Sequence, residues 1–69
     1  MTQEDINNRF TYHTPKEGQP AIYQALREAA KGLAEHINNV CPESREKSLA
    51  ITELEASIFW ANASIARHG

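Results

Sequence analysis

Downstream of Cys41 the apolar positions recur at helical spacing. Ile51, Leu54, Ile58, Ala61 and Ile65 lie three or four apart and fall on one stripe. Leu49, Ala56, Phe59, Trp60 and Ala63 form a second set on a neighbouring face. One antiparallel partner cannot cover both faces, so the pattern asks for a further partner. Pro42 suits a first helical turn, where its missing N–H is not needed, and Glu43 and Glu46 place negative charge at the positive end of the helix dipole. No Gly or Pro follows until Gly69. A helix is therefore predicted over 42–67, about 25 residues or roughly 37 Å long.

An earlier helix is predicted over 20–39. Ile22, Leu26, Ala29, Leu33, Ile37 and Val40 recur at the same spacing, and Ala25, Ala30 and Ala34 widen the stripe. Pro20 fits its first turn and Asn38 and Asn39 its end. So few residues then separate it from Pro42 that only an antiparallel return is possible. Gly32 weakens this helix by up to ~1 kcal/mol relative to alanine. It reads either as a point of close packing or ligand room, or as a tolerated surface glycine.

The residues before Pro20 are different. Residues 1–8 hold one apolar side chain, Ile6, among Asp and Asn signals. A short capped helix and a frayed terminus both fit. Residues 9–20 have no period, and Pro15, Gly18 and Pro20 favour an extended path. Phe10, Tyr12 and His13 stand too close together for a mere linker, so an ordered arm is expected over 1–19. The fold class read from the pattern is all-α: one domain over 1–69, an antiparallel helical hairpin with an extended N-terminal arm, assembled as an oligomer.

Length and cysteine count support the oligomer. A chain of 69 residues gains little net stability from one small core and usually needs disulfides, metals or partners. Cys41 is its only cysteine, which excludes an internal disulfide and a cysteine-rich zinc knuckle. The polar opening MTQEDINNRF and the absence of an apolar run near the ~20 residues of a membrane span point to a soluble intracellular protein that does not engage a membrane. The net charge of −2 argues against generic binding to DNA.

The chemistry-bearing residues narrow the function. His36 stands alone on its helix, His13 and His68 lie in the arm and the tail, and Glu53 and Glu55 point to different faces, so no metal-ligand set is read. No phosphate loop, nucleophile elbow or Cys/His pair is found, and neither an enzyme nor a cofactor is expected. The arm segment from Arg9 to Lys16 instead interleaves aromatic rings with cations. Rings stack on base faces and cations neutralise phosphate, the two things a nucleotide ligand requires. Phe10 and Tyr12 could instead plug the open face of the hairpin; Phe10 alone reads better that way, whereas for Tyr12 and Lys16 the ligand contact is the better placed of two nearly even readings. Arg27 and Lys31, four apart, share a face of the first helix, where Glu28 and Glu35 are expected to compensate them. Arg67 suits the helix dipole. Trp60, mid-helix among apolar neighbours, reads as an oligomer contact.

The run NRFTYHTPKEGQP, the helix from Tyr23 to Lys31, NNVCPESREKSLAITELE and WANASIAR, in that order, resemble the small phage helical-hairpin family that includes the anti-CBASS cyclic-oligonucleotide sponges. The Thoeris-countering sponges share a related hairpin. The resemblance covers roughly residues 8–67. It implies an immune-evasion protein of the host cytoplasm that binds cyclic dinucleotides such as 3′,3′-cyclic GMP-AMP without degrading them and so withholds them from the CBASS effector. It further implies a hexamer with dinucleotide pockets between protomers and separate axial pockets for cyclic trinucleotides.

By the same resemblance the tyrosine of NRFTYH is Tyr12, at a base, and the basic residue that meets phosphate is Arg27. Where family members carry Lys at that place, the planar Arg fork shifts ligand preference. Arg67 is the candidate for the trinucleotide pocket. Phe10, His13, Lys16 and Lys31 follow by proximity and chemistry. No strand-like insert is present for the β-ribbon of the Thoeris-countering sponges, which lowers the case for cyclic ADP-ribose-type signals. A helical module that docks Phe59 and Trp60 on a host protein is the alternative function.

Overall fold

A computed structural model describes residues 1–69 and contains three helices and no strand. They are α1 (Gln3–Phe10), α2 (Gln19–Val40) and α3 (Arg45–His68). The fold class is thus all-α, as the pattern predicts. None of the helices is long and apolar enough to cross a membrane.

Of the two readings open for residues 1–8, the short capped helix holds as α1, which runs on to Phe10 and so takes up the first two residues of the stretch expected to be extended. Thr2 and Asp5 cap this helix reciprocally: the Thr2 hydroxyl accepts from the Asp5 N–H, and the Asp5 carboxylate accepts from the Thr2 N–H. Two orphan donors are satisfied at once, which lets an eight-residue helix form with no buried residue. Between α1 and α2 only Thr11–Gly18 remain without helix.

Proline does not begin the last helix. Ser44 is its N-cap, accepting from the Lys47 N–H at 3.1 Å, and α3 starts at Arg45, three residues later than predicted. Serine wins because its side-chain oxygen satisfies an orphan N–H, which proline cannot do. Glu43 accordingly falls outside the first turn. It pairs instead with Lys47, one turn further on, and this is the only ion pair in the chain.

α2 and α3 pack on one another across the four residues that join them, 41–44. The start of α2 sits beside the end of α3, where Gln19 Nε2 donates to the Ile65 carbonyl at 3.3 Å. The α3 stripe of Ile51, Leu54, Ile58, Ala61 and Ile65 is half-buried throughout, as predicted. The α2 stripe divides. Tyr23, Leu26, Ala30, Ala34 and Ile37 are half-buried, whereas Ile22, Ala29, Leu33 and Val40 lie exposed on a second face. A 22-residue helix with apolar residues at every third or fourth position carries more than one neighbour can cover.

The molecule is one layer thick. Its principal extents are 45 × 29 × 12 Å, and 12 Å is the diameter of a single helix with its side chains. The accessible surface is 5515 Å², against about 4,300 Å² for a folded monomer of this mass. No apolar side chain is buried; the two buried residues are polar, Gln19 and Lys47. Exposed on α3 are Leu49, Phe59 and Trp60.

Candidate functional site

A groove of about 450 Å³ opens along the α2–α3 seam. Ala30 and Ala34 of α2 and Ile51, Leu54 and Ile58 of α3 form its apolar floor. The alanines are the cause: small side chains on α2 leave space between larger ones on α3. Arg27 and Lys31 stand on the α2 rim, about 6 Å apart along the axis at 1.5 Å per residue. Phe59, Glu55 and Asn62 complete the α3 side.

The cationic rim is less compensated than the sequence suggests. Arg27 donates to the Gln24 side chain at 2.9 Å, and Gln24 in turn donates to Glu28 at 2.9 Å. Neither Arg27 nor Lys31 forms an ion pair with Glu28, Glu35 or any other acid. Two cations beside an apolar floor and an exposed aromatic ring suit an anionic ligand with flat apolar parts. Asn62 was not anticipated as part of such a site. It occupies a stripe position between Ile58 and Ile65, and its side-chain oxygen is buried without a hydrogen-bond partner.

A second recess, entirely polar and about 610 Å³ in volume, lies where α1 and the arm meet the end of α3. Asn8, Thr11, His13, Arg67 and His68 line it, with Glu4 and Asp5 at its edge. His13 Nε2 lies 2.6 Å from the Asn8 carbonyl and clasps the arm to α1. Hydrogen bonds from Thr2, aided by the positive charge of Arg9, hold the Asp5 carboxyl below its ordinary range. Although His13 and His68 come to one recess with Glu4 and Asp5, no three His, Cys, Asp or Glu side chains there or elsewhere are placed to hold one metal ion.

The expected site residues are therefore distributed over four places within one protomer. Arg27 and Lys31 share the groove, and His13 and Arg67 share the polar recess. Phe10 and Tyr12 line neither and are 82% and 72% exposed, so Phe10 does not plug the helical pair. A single-layer fold has no open interior for it to fill.

Lys16 lines neither hollow: its ammonium donates to the Gly69 carbonyl at 2.5 Å. Beside it stands Gln19, which sequence reasoning missed. Gln19 is 7% exposed, accepts from the Lys16 N–H at 2.8 Å and donates to the Ile65 carbonyl. Its signal in the sequence is faint, a polar residue between Gly18 and Pro20.

Neither the curated proteins nor the solved structures give a match to the chain. The family model described as "Acb2/Tad1, hairpin domain" matches residues 2–66. That span takes in α1, α2, all of α3 but its last two residues, the groove and six of the eight residues of the polar recess, so the chain belongs to the Acb2/Tad1 hairpin family of anti-CBASS and anti-Thoeris sponges, which sequester signalling molecules.

Proposed function

We propose that the protein is a sponge for cyclic dinucleotides of the 3′,3′-cyclic GMP-AMP kind, acting in the host cytoplasm to withhold them from the CBASS effector. The observation that carries this reading is the family match over residues 2–66. The Arg27–Lys31 groove supports it with the chemistry such a ligand needs. Two cations suit the two phosphates, the apolar floor and Phe59 suit base faces, and each stacked base is worth about 1–3 kcal/mol. Binding requires no bond to break, and the ligand leaves chemically unchanged.

In this reading the chain is an antiparallel helical hairpin that assembles, as a homohexamer, through the exposed faces of α2 and α3. The excess of exposed surface over a monomer of this mass supports assembly. Copies then complete one another's sites. Phe10 and Tyr12 find no partner in their own protomer and face outward, where a neighbouring copy's groove can receive them. Arg67, in the polar recess, is reserved for a cyclic trinucleotide site.

Isothermal titration with 3′,3′-cyclic GMP-AMP, followed by heat release and chromatography of the bound material, tests the reading. Tight binding with intact ligand recovered is the expected result. Turnover of the ligand contradicts a sponge. If no cyclic di- or trinucleotide and no cyclic ADP-ribose-type signal binds, and light scattering gives a monomer, the reading fails in favour of Phe59 and Trp60 docking on a host protein.

A further inference from the structure

Lys16 has the charge to meet a phosphate, yet its side chain is engaged elsewhere. Its ammonium donates to the Gly69 carbonyl, at the negative end of the α3 dipole. Its backbone is engaged too: the Lys16 carbonyl accepts from the Gln19 N–H at 3.0 Å, and the Lys16 N–H donates to Gln19 Oε1 at 2.8 Å. Gln19 thus closes a ring on Lys16 from both sides of the turn.

The other end of Gln19 reaches α3. Its Nε2 shares the Ile65 carbonyl with the Gly69 N–H, which bonds it at 2.9 Å. The last carbonyls of a helix run short of donors; Lys16 supplies one to Gly69, and Gln19 adds a second to Ile65 beside the Gly69 N–H. The consequence is geometric. The exit of the arm from α2 is tied to the end of α3 through a side chain that is more than nine-tenths buried. At its other end the arm is held by the His13–Asn8 contact. Tyr12, exposed, stands beside His13 and four residues from the Lys16 tie.

We infer that Gln19 and Lys16 are positioning residues, a clamp that fixes the direction in which the arm presents Tyr12, and that Lys16 is not itself a ligand contact. This rests on the proposed sponge function, in which Tyr12 meets a base. A clamp acts before any ligand arrives; a phosphate contact acts only with it. The two roles separate in the free protein.

Three variants test the clamp: Lys16→Met, Lys16→Arg and Gln19→Leu. Amide hydrogen exchange at Lys16 is read without ligand, and 3′,3′-cyclic GMP-AMP is then titrated, with the assembly mass checked by light scattering. Lys16→Met and Gln19→Leu are expected to speed exchange at the residue-16 amide about tenfold and to weaken binding by about tenfold or more at unchanged mass. Lys16→Arg, which keeps a cation for the Gly69 carbonyl, is expected to restore most of both. Because Lys16 is exposed, its variants fold even where Gln19→Leu does not.

Lost affinity with parental exchange in Lys16→Met makes Lys16 a ligand contact and overturns the clamp. Faster exchange with parental affinity, or no change in either, also overturns it while leaving the sponge intact. A parent protein that binds no cyclic nucleotide removes the sponge reading and this inference with it.

Discussion

Asp5 accepts from the Thr2 N–H at 3.2 Å while donating its own N–H to the Thr2 hydroxyl at 3.0 Å, and this reciprocal pair is what makes a helix of residues 3–10. Those hydrogen bonds lower the Asp5 pKa from its ordinary 3.8. A carboxyl whose folded pKa is depressed contributes stability that is full above its unfolded value and lost as pH falls through the folded one. α1 is therefore expected to hold at neutral pH and to fray below about pH 4. An NMR titration should give Asp5 a midpoint under 3.8 in the parent, moving only part of the way back in Thr2→Ala, which removes the hydroxyl and keeps the residue-2 backbone N–H. Losing this cap costs about 0.5–2 kcal/mol of helix stability. The loss stays local because α1 makes little contact with α2 or α3. Unfolding of α2 and α3 in step with Asp5 protonation contradicts this picture.

Two glycines lead to opposite expectations. Gly18 has φ 84°, the left-handed value required at the third position of a type II turn, and it also caps α2. Space is not the constraint, since a Cβ there meets nothing within 4 Å. Gly18→Ala is expected to destabilise by about 1–2 kcal/mol through backbone conformation alone. Gly32 lies inside α2 with ordinary helical backbone and open space at its Cβ. Gly32→Ala is expected to stabilise by about 0.5–1 kcal/mol. Thermal unfolding of both variants checks the pair. Loss of stability in Gly32→Ala places a neighbouring copy against that face.

Trp60 is 70% exposed on a helix whose other faces are half-covered. Buried at an interface between copies, an indole contributes on the order of 2–4 kcal/mol per protomer. If the chain assembles as proposed, Trp60→Ala is expected to shift it toward smaller species, at concentrations tens to hundreds of times above those at which the parent dissociates. Light scattering across a dilution series measures this. Equal masses for parent and variant at every concentration remove Trp60 from the interface.

The long helices were legible because their evidence is local. A stripe such as Ile51, Leu54, Ile58 and Ile65 needs only spacing to be read. Their exact starts were less legible: Pro42 suits a first turn by its own chemistry, whereas the N-cap role of Ser44 rests on its hydroxyl reaching the Lys47 N–H. α1 was one of two open readings because a capping box is a weak signal when nothing buries the helix behind it. The site was legible in part. Arg27 and Lys31 share a face by arithmetic, and they share a groove in the structure. The roles of Gln19 and Lys16 were hidden, since Ile65 is 46 positions from Gln19 and Gly69 is 53 from Lys16. No local pattern announces a hydrogen bond over that distance.

The groove rim makes the last expectation quantitative. A charge-assisted hydrogen bond to a phosphate contributes about 1.5–3 kcal/mol, so Arg27→Ala is expected to weaken 3′,3′-cyclic GMP-AMP binding by roughly 10- to 150-fold. Arg27→Lys keeps the charge and loses the planar fork, and its effect should fall between parent and Ala. Glu55 lines the same groove with the opposite sign and no ion-pair partner. Exposed carboxylates act weakly, by about 0.2–1 kcal/mol. Glu55→Gln is therefore expected to tighten binding of an anion by up to about fivefold, more at low salt than at high. Titrations of the three variants at two salt concentrations decide the matter. If Glu55→Gln instead weakens binding, Glu55 accepts a base N–H rather than repelling a phosphate. If Arg27→Ala binds like the parent, the phosphates lie outside this groove.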